Sequence, residues 1–296
     1  MKNRRVLNSP RLLKFKKEKQ KTFRKKLLWA VFFLVLFFLS LIFLSRWKEM
    51  NIENVQVSGN KVLETKIIEQ KVREKISGNY FWVFPKTNFI IYPQKEIATD
   101  LKNNLKRIKD VFVNDRNIKN LEINITEYNA EYLWCGISPV EKKEVAEEDF
   151  LEKNKCYFMN EDGYIFDEAP YFSGEVYFKF YGNNALNLEN PLGTYFFEKD
   201  FNRFIYLKKS IEELGIKITS LFVMDNGDVK ILLSPKIINQ KNPEIIMKLD
   251  SDFTKAIENL QSILNTEPLQ TDFKNKYSSL LYIDLRFGNK VFYKFK

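Results

Sequence analysis

The sequence contains no histidine among its 296 residues. Histidine is the usual general base of serine and cysteine hydrolases and a frequent ligand of catalytic zinc. Its absence excludes Ser-His-Asp catalysis, Cys-His catalysis and histidine-ligated metal sites. Only two cysteines are present, and we find no glycine-rich phosphate loop and no Ser or Cys nucleophile motif. Few common enzyme chemistries are therefore open to this chain.

Acidic residues are almost missing from the first 26 residues. This tail (1–26) carries twelve Lys or Arg and one acid, Glu18, which gives it a net charge of +11. The residues after 45 include 36 basic and 37 acidic ones, so the overall charge of +10 comes from the tail. The charge therefore does not indicate a nucleic-acid-binding domain. We expect the tail to be disordered and attracted to anionic lipid headgroups.

One long apolar run follows, Leu27–Ser45, with nineteen residues and no charge, Pro or Gly. As a helix it would be about 28 Å long, close to the hydrocarbon thickness of a bilayer. Trp29 and Trp47 lie near its ends, where indole rings prefer the headgroup region. A buried core helix would show a polar face, and a cleaved signal peptide would show a shorter run and a small-residue cleavage site. The run has no polar face and no such cleavage site, so it predicts one retained transmembrane helix.

The charges on the two sides of this helix predict its orientation. Twelve basic residues precede it, and only Arg46 and Lys48 directly follow it. Positive charge is retained on the cytoplasmic side of a first helix. We therefore expect the tail in the cytoplasm and residues 46–296 outside it, anchored in the cell membrane by a single pass.

Residues 51–128 show the pattern of a small α+β domain after a short linker, 46–50. A strand is predicted at 52–57, and a helix in ETKIIEQKVREKISG with Gly78 at its C-terminal cap. A second helix starts near Pro93, and alternation predicts strands at 111–113 and 121–125. The apolar stripe of the second helix is predicted to contain Ile97, Leu101, Leu105 and Ile108. The predicted order is β-α-α-β-β.

Residues 129–296 are predicted to form a β-rich domain with flanking helices. The strongest signal is Asn226-Gly227 between two apolar strands, which is typical of a tight hairpin. One helix runs from Phe201 to near Gly215, and Asp252 is expected to cap another. The predicted strands lie at 132–135, 156–159, 164–166, 175–181, on both sides of 226–227, near 245–249, and on both sides of Gly288-Asn289.

The two cysteines lie at the ends of predicted strands, 132–135 and 156–159. If these strands pair, Cys135 and Cys156 can approach each other, and the extracytoplasmic side permits oxidation. A disulfide closing the charged loop between them would add about 3 kcal/mol to the free energy of unfolding. The alternative is a pair of buried thiols.

The β-α-α-β-β segment resembles a POTRA domain of the FtsQ/DivIB family of bacterial cell-division proteins. The resemblance lies in NIENVQVSGNKVLETKIIEQKV, with its V-x-V-x-GN opening, in YPQKEIATDLKNNLKRIKDVFVNDRNIKNLEINITEYNAEYLW, and in the membrane helix just upstream. Asp284-Leu285-Arg286 matches the DLR signature near that family's C-terminus. The family's Glu-Arg-x-Pro-like stretch is only partly kept, because Tyr128 and Ala130 follow Glu127 where Arg and Pro are usual.

The resemblance implies a non-enzymatic scaffold of the division machinery at the septum, without cofactor. Its partners would be coiled-coil division proteins of the FtsB/DivIC and FtsL types, together with other divisome membrane proteins, and the complex would coordinate septal cell-wall synthesis. A membrane-anchored extracytoplasmic cell-wall enzyme is the alternative, to be recognised by acidic or nucleophilic groups converging in a pocket. A POTRA chaperone of outer-membrane assembly would need a C-terminal membrane barrel, and we expect no such barrel here.

The final strand, about 289–295, is predicted to be a sheet edge that a partner extends. We expect no later segment to cover it, and its lysines discourage unselective pairing. The family's partner site lies at its C-terminal strands, and position-by-position transfer gives the candidate residues Arg286, Phe287, Gly288, Val291 and Tyr293. Asp284 and Arg286 are also consistent with a simple surface ion pair worth under about 1 kcal/mol.

Overall fold

The computed structural model describes residues 10–139, 155–172, 174–183, 190–235 and 242–296, without the side chains of residues 10–13 and 116. The chain divides into two compact units. Unit 1 comprises Met1–Asn104 and Asp110–Thr126, and unit 2 comprises Leu105–Lys109 and Glu127–Lys296. The architecture is mixed α+β, as predicted. The last residue of unit 1 is Thr126, two residues before the predicted domain boundary at residue 128.

The first helix, α1, spans Pro10–Ser45 and is longer than the predicted apolar run. Its portion Lys14–Ser45 is long and apolar enough to cross a membrane, with a mean hydropathy of 3.0 over its most apolar window. The expectation of a disordered tail is wrong for residues 10–26, which are helical. The reason is composition, because Lys, Arg, Leu, Gln and Glu are strong helix formers. Residues 1–9 lie outside the described residues.

Unit 1 has the predicted order of elements, with one small addition. A three-stranded sheet has the order β1-β5-β4, and β1 pairs parallel to β5. A two-stranded hairpin, β2-β3, was not predicted; it lies between the two helices. The elements are β1 (Asn54–Ser58), α2 (Thr65–Ile76), β2 (Asn79–Tyr80), β3 (Phe84–Pro85), α3 (Gln94–Asn104), β4 (Ile108–Asn117) and β5 (Asn120–Glu127).

The predicted apolar stripe of α3 is correct at Ile97 and Leu101, which are fully buried. It is wrong at Leu105 and Ile108, because α3 ends at Asn104 and Ile108 begins β4. The helical spacing of three or four residues continues across this boundary by coincidence, because Ile108 is buried as a strand residue.

A glycine fixes the turn after β1. Gly59 has φ +84°, and a Cβ on it would lie 2.1 Å from the carbonyl oxygen of Ile125 on β5. Only glycine permits both the left-handed backbone and this approach. The next residue, Asn60, donates from Nδ2 to Leu63 O at 2.8 Å and to Thr65 Oγ1 at 3.0 Å. The V-x-V-x-GN segment therefore joins β1 to the start of α2.

Unit 2 is built on a nine-stranded sheet of order β14-β13-β12-β11-β10-β9-β6-β7-β8. The strands are β6 (Tyr132–Trp134), β7 (Cys156–Met159), β8 (Ile165–Ala169), β9 (Phe178–Tyr181), β10 (Ile218–Val223), β11 (Asp228–Leu233), β12 (Glu244–Lys248), β13 (Leu280–Phe287) and β14 (Lys290–Phe295). The helices are α4 (Phe201–Glu213), α5 (Phe253–Leu264) and α6 (Leu269–Asn275). Helix α6 was not predicted.

The main core of unit 2 lies between this sheet and two of the helices. Phe204 and Leu207 of α4 and Leu260 of α5 are fully buried in one cluster with apolar strand residues such as Val229 and Ile283. Asp252 caps α5 as predicted, because its carboxylate accepts hydrogen bonds from the second and third following backbone N–H groups. The core holds one face of β10 to β13 in place, so it also positions the C-terminal strands.

Candidate functional site

The C-terminal strand β14 is an edge of the nine-stranded sheet. It pairs antiparallel with β13 and with no other described strand. Lys296 donates its backbone N–H to Ser279 O at 2.8 Å, on the β13 side. Because alternate residues direct their backbone groups to opposite edges, those of Val291, Tyr293 and Phe295 lie on the side away from β13. This open side is the feature that another strand could pair with.

The two faces of β14 differ in exposure. Val291, Tyr293 and Phe295 are half-buried, and their side chains pack against the core of unit 2. Lys290, Phe292 and Lys294 are exposed. The predicted partner residues Val291 and Tyr293 therefore offer backbone groups at the edge, while much of their side-chain surface is used by the core.

An exposed aromatic pair lies at the same end of the sheet. Phe287, which was predicted, is 55% exposed and contacts Phe292, which is 50% exposed, with ring centroids 5.2 Å apart. The predicted residue set omitted Phe292. The signal that could have found it is the alternation Lys290-Phe292-Lys294, which puts an aromatic between two lysines on the solvent face.

Arg286 lies in a cluster with two carboxylates. Its Nη2 and Nε donate to both oxygens of Asp284 at 2.7 and 2.9 Å, and its Nη1 donates to Asp228 Oδ2 at 2.7 Å. Asp284 and Asp228 are only 5% and 7% exposed. The expectation of a simple surface ion pair is therefore wrong, because register brings in a buried carboxylate 58 positions earlier in the chain.

The cluster connects strands that are not neighbours. Arg286 is on β13 and Asp228 begins β11, so the guanidinium reaches across the intervening β12. Its donors are already directed at two carboxylates, and its planar group also lies 5.8 Å from the Phe287 ring centroid. Arg286 thus positions the end of β13 and the adjacent aromatic pair.

The electrostatics keep this cluster charged. Burial alone would raise the pKa of the Asp284 carboxyl, but hydrogen bonds from the Arg286 side chain and backbone, with its positive charge, lower that pKa overall. The pKa of Arg286 is raised, chiefly by its hydrogen bond to Asp284. At neutral pH Asp284 is therefore a carboxylate and Arg286 a cation, and the charged cluster connects β13 to β11.

The β13–β14 turn is tied to a helix. Gly288 has φ +66°, the left-handed conformation for which glycine is suited. Its carbonyl oxygen accepts a hydrogen bond from Asn259 Nδ2 of α5 at 2.9 Å. This predicted partner residue therefore has a conformational role, and the turn is held by the same helix that packs on the core.

Cys135 and Cys156 are joined by a disulfide, with a Cα–Cα distance of 4.1 Å. Cys135 directly follows β6, and Cys156 begins β7, which pairs antiparallel with β6. The bond closes the segment whose residues 140–154 lie outside the described residues.

Within the described ranges, no group of three or more His, Cys, Asp or Glu side chains could hold a metal ion. The features found are instead an open strand edge, an exposed aromatic pair and the adjacent charged cluster of Arg286, Asp284 and Asp228. No family model and no curated protein matches the chain.

Proposed function

We propose that this protein is a single-pass membrane scaffold of the bacterial division machinery, of the FtsQ/DivIB type, which uses β14 to bind FtsB/DivIC-like and FtsL-like partners outside the cytoplasm. The observation that carries the proposal is the open edge of β14 beside the exposed Phe287–Phe292 pair. The N-terminal helix and the β-α-α-β-β order of unit 1 support it. Through such partners, the protein would coordinate septal cell-wall synthesis.

Binding by strand addition fits the two kinds of group that β14 offers. Outward backbone N–H and C=O groups supply affinity that does not depend on the partner's sequence. Phe287 and Phe292 supply an aromatic anchor, the residue class that often dominates interface energetics. Lys290 and Lys294 flank Phe292 on the exposed face, so we expect the paired partner strand to carry acidic residues there.

The first test is partner binding by variants of the edge. Phe292→Ala should weaken binding of the coiled-coil partner about 30-fold, the effect of a ~2 kcal/mol anchor. Phe112→Ala is the matched control, because Phe112 is an exposed aromatic of unit 1, 61% accessible. It should bind the partner as the parent does.

A second variant tests the backbone of the edge. Val291→Pro removes one outward N–H, and edge strands tolerate proline where the N–H faces solvent. The variant should stay folded and lose partner affinity. If folded Val291→Pro and Phe292→Ala both bind as tightly as the parent, the partner site lies elsewhere.

The orientation is tested separately in intact spheroplasts. Externally added protease should digest the region after α1 and spare the basic segment that precedes it, because positive flanking charge is retained in the cytoplasm. Full protection of residues 46–296, with digestion after lysis as the control, would contradict an extracytoplasmic scaffold.

A further inference from the structure

The most exposed large apolar side chains of the described residues are at the tip of the β2-β3 hairpin. Phe81 and Trp82 are 90% and 91% exposed. They occupy the centre of a turn closed by the Val83 N–H donating to Tyr80 O at 3.0 Å. Both have positive φ, 48° and 63°, where hairpin turns normally use Asn and Gly. Two bulky aromatic side chains therefore occupy a backbone conformation that disfavours them, and the described residues leave both exposed.

Hydrogen bonds hold this hairpin at the end of α1. Arg46 directly follows the helix, and its Nε donates to Val83 O at 3.2 Å. Asn88 follows the hairpin, and its Nδ2 donates to the carbonyl oxygen of Ser45, the last helical residue, at 3.0 Å. The aromatic tip is therefore fixed within about one side-chain length of the place where the apolar run ends.

The surroundings have the composition of a membrane interface. Trp47 and Ile90 belong to the two segments that these bonds join, and they are 57% and 67% exposed. Lys48 and Lys86 add positive charge nearby, and the Lys86 ammonium lies 5.4 Å from the Tyr80 ring centroid. Aromatic rings concentrate at headgroup level, and basic side chains there attract lipid phosphates.

We propose that the Phe81-Trp82 tip inserts into the outer headgroup region of the membrane that α1 spans, so that unit 1 is attached to the bilayer at a second point. The partner is the lipid interface, because the hydrogen bonds place the tip beside the end of a membrane-length apolar helix. This inference depends on α1 crossing the membrane and is independent of the partners proposed for β14.

The test uses the emission of Trp82 in the full chain, reconstituted in phosphatidylethanolamine–phosphatidylglycerol vesicles. Trp29→Phe and Trp47→Phe leave Trp82 and Trp134 as the fluorophores. Trp134 is only 2% exposed and serves as an internal reference. Subtracting the spectrum of the same chain with Trp82→Phe isolates the Trp82 component. This component should be blue-shifted, lose most of its intensity with brominated lipids, and resist aqueous acrylamide.

A matched control places a tryptophan elsewhere in unit 1. Val62 is 62% exposed and lies before α2. The hairpin lies after α2, whose twelve residues form a helix about 18 Å long. Val62→Trp in the chain without Trp29, Trp47 and Trp82 should emit as in water and be quenched by acrylamide. If Trp82 behaves like this control in vesicles of lipid alone, the proposal is wrong. Shielding of Trp82 that appears only when other membrane proteins are added would equally overturn it, in favour of a protein partner.

Discussion

The cluster of Arg286, Asp284 and Asp228 makes the sharpest prediction about stability. Arg286→Met keeps most of the apolar stem and removes the guanidinium, so two carboxylates that are 5% and 7% exposed lose their cation. Removing one partner of a buried pair costs about 3–5 kcal/mol. Because the Arg286 side chain is itself 30% exposed, we expect the lower end, about 3 kcal/mol. With a urea m-value of about 2 kcal/mol/M, the unfolding midpoint should fall by about 1.5 M.

The assay is urea unfolding of unit 2 in the detergent-solubilised chain, followed by Trp134 emission after Phe replaces the other three tryptophans. Lys217→Met is the matched control, since Lys217 pairs with Glu175 at 2.7 Å but is 72% exposed. It should cost under about 1 kcal/mol. If Arg286→Met loses no more stability than this control, the cluster does not stabilise unit 2 as proposed.

The pH dependence gives a second readout with a definite sign. In the parent, the pKa of Asp284 is lowered in the folded state, so its contribution is present at neutral pH and is lost as pH falls below the usual Asp range. In Arg286→Met the side-chain hydrogen bond and the positive charge are lost, and the hydrogen bond from the backbone N–H of residue 286 remains. Burial is the largest single effect on this carboxyl and outweighs that remaining bond, so the folded pKa of Asp284 should be raised. The variant should therefore gain stability as pH falls through that raised pKa, and the gap between variant and parent should narrow.

Two further predictions concern the disulfide of unit 2 and a glycine turn of unit 1. Replacing Cys135 and Cys156 by Ser should lower the free energy of unfolding of unit 2 by about 3 kcal/mol. A thiol reagent should find no free thiol in denatured parent protein that has not been reduced. Labelling of both cysteines would contradict the disulfide. Gly59→Ala should destabilise unit 1 more than Gly78→Ala in thermal unfolding: both glycines have positive φ, but only the first places a Cβ against Ile125 O. Equal losses would show that the close approach is unimportant.

The elements with strong periodicity or turn chemistry could be predicted from the sequence. The hairpin around Asn226-Gly227 is present as β10 and β11, and the cap at Asp252 is present in α5. These signals are local, so tertiary structure is not needed to interpret them. Helix α6 (Leu269–Asn275) was missed because seven residues after Pro268 contain too few apolar positions to show a period.

The hairpin at the end of α1 was missed for a different reason. A tight turn is recognised by Asn, Gly or Asp at its centre, and this one has Phe81 and Trp82. The order of the sheet in unit 2 was also out of reach, because it depends on parallel pairs between distant strands, such as β6 with β9 and β12 with β13.

The candidate site was predictable only at the level of the strand. Alternation in residues 290–295 predicted an edge strand with one apolar face, and β14 has that position and pattern. The partner of Arg286 on β11 depends on the register across three strands. Local sequence therefore identified Asp284 and gave no indication of Asp228.

The continuity of α1 has a mechanical consequence. Its 36 residues extend about 54 Å, well beyond a hydrocarbon layer of about 30 Å. The Ser45 carbonyl accepts hydrogen bonds from Asn51 and Asn88, so this end of the helix is fixed to the rest of unit 1. A tilt of about 10° would move the far end by about 9 Å for a helix of this length, and the rest of unit 1 would turn with it. Where α1 spans a bilayer, a mismatch between its apolar length and the bilayer thickness, or a change in its interfacial anchors, alters its tilt. Such a change should also alter the angle at which the rest of unit 1 stands on the membrane.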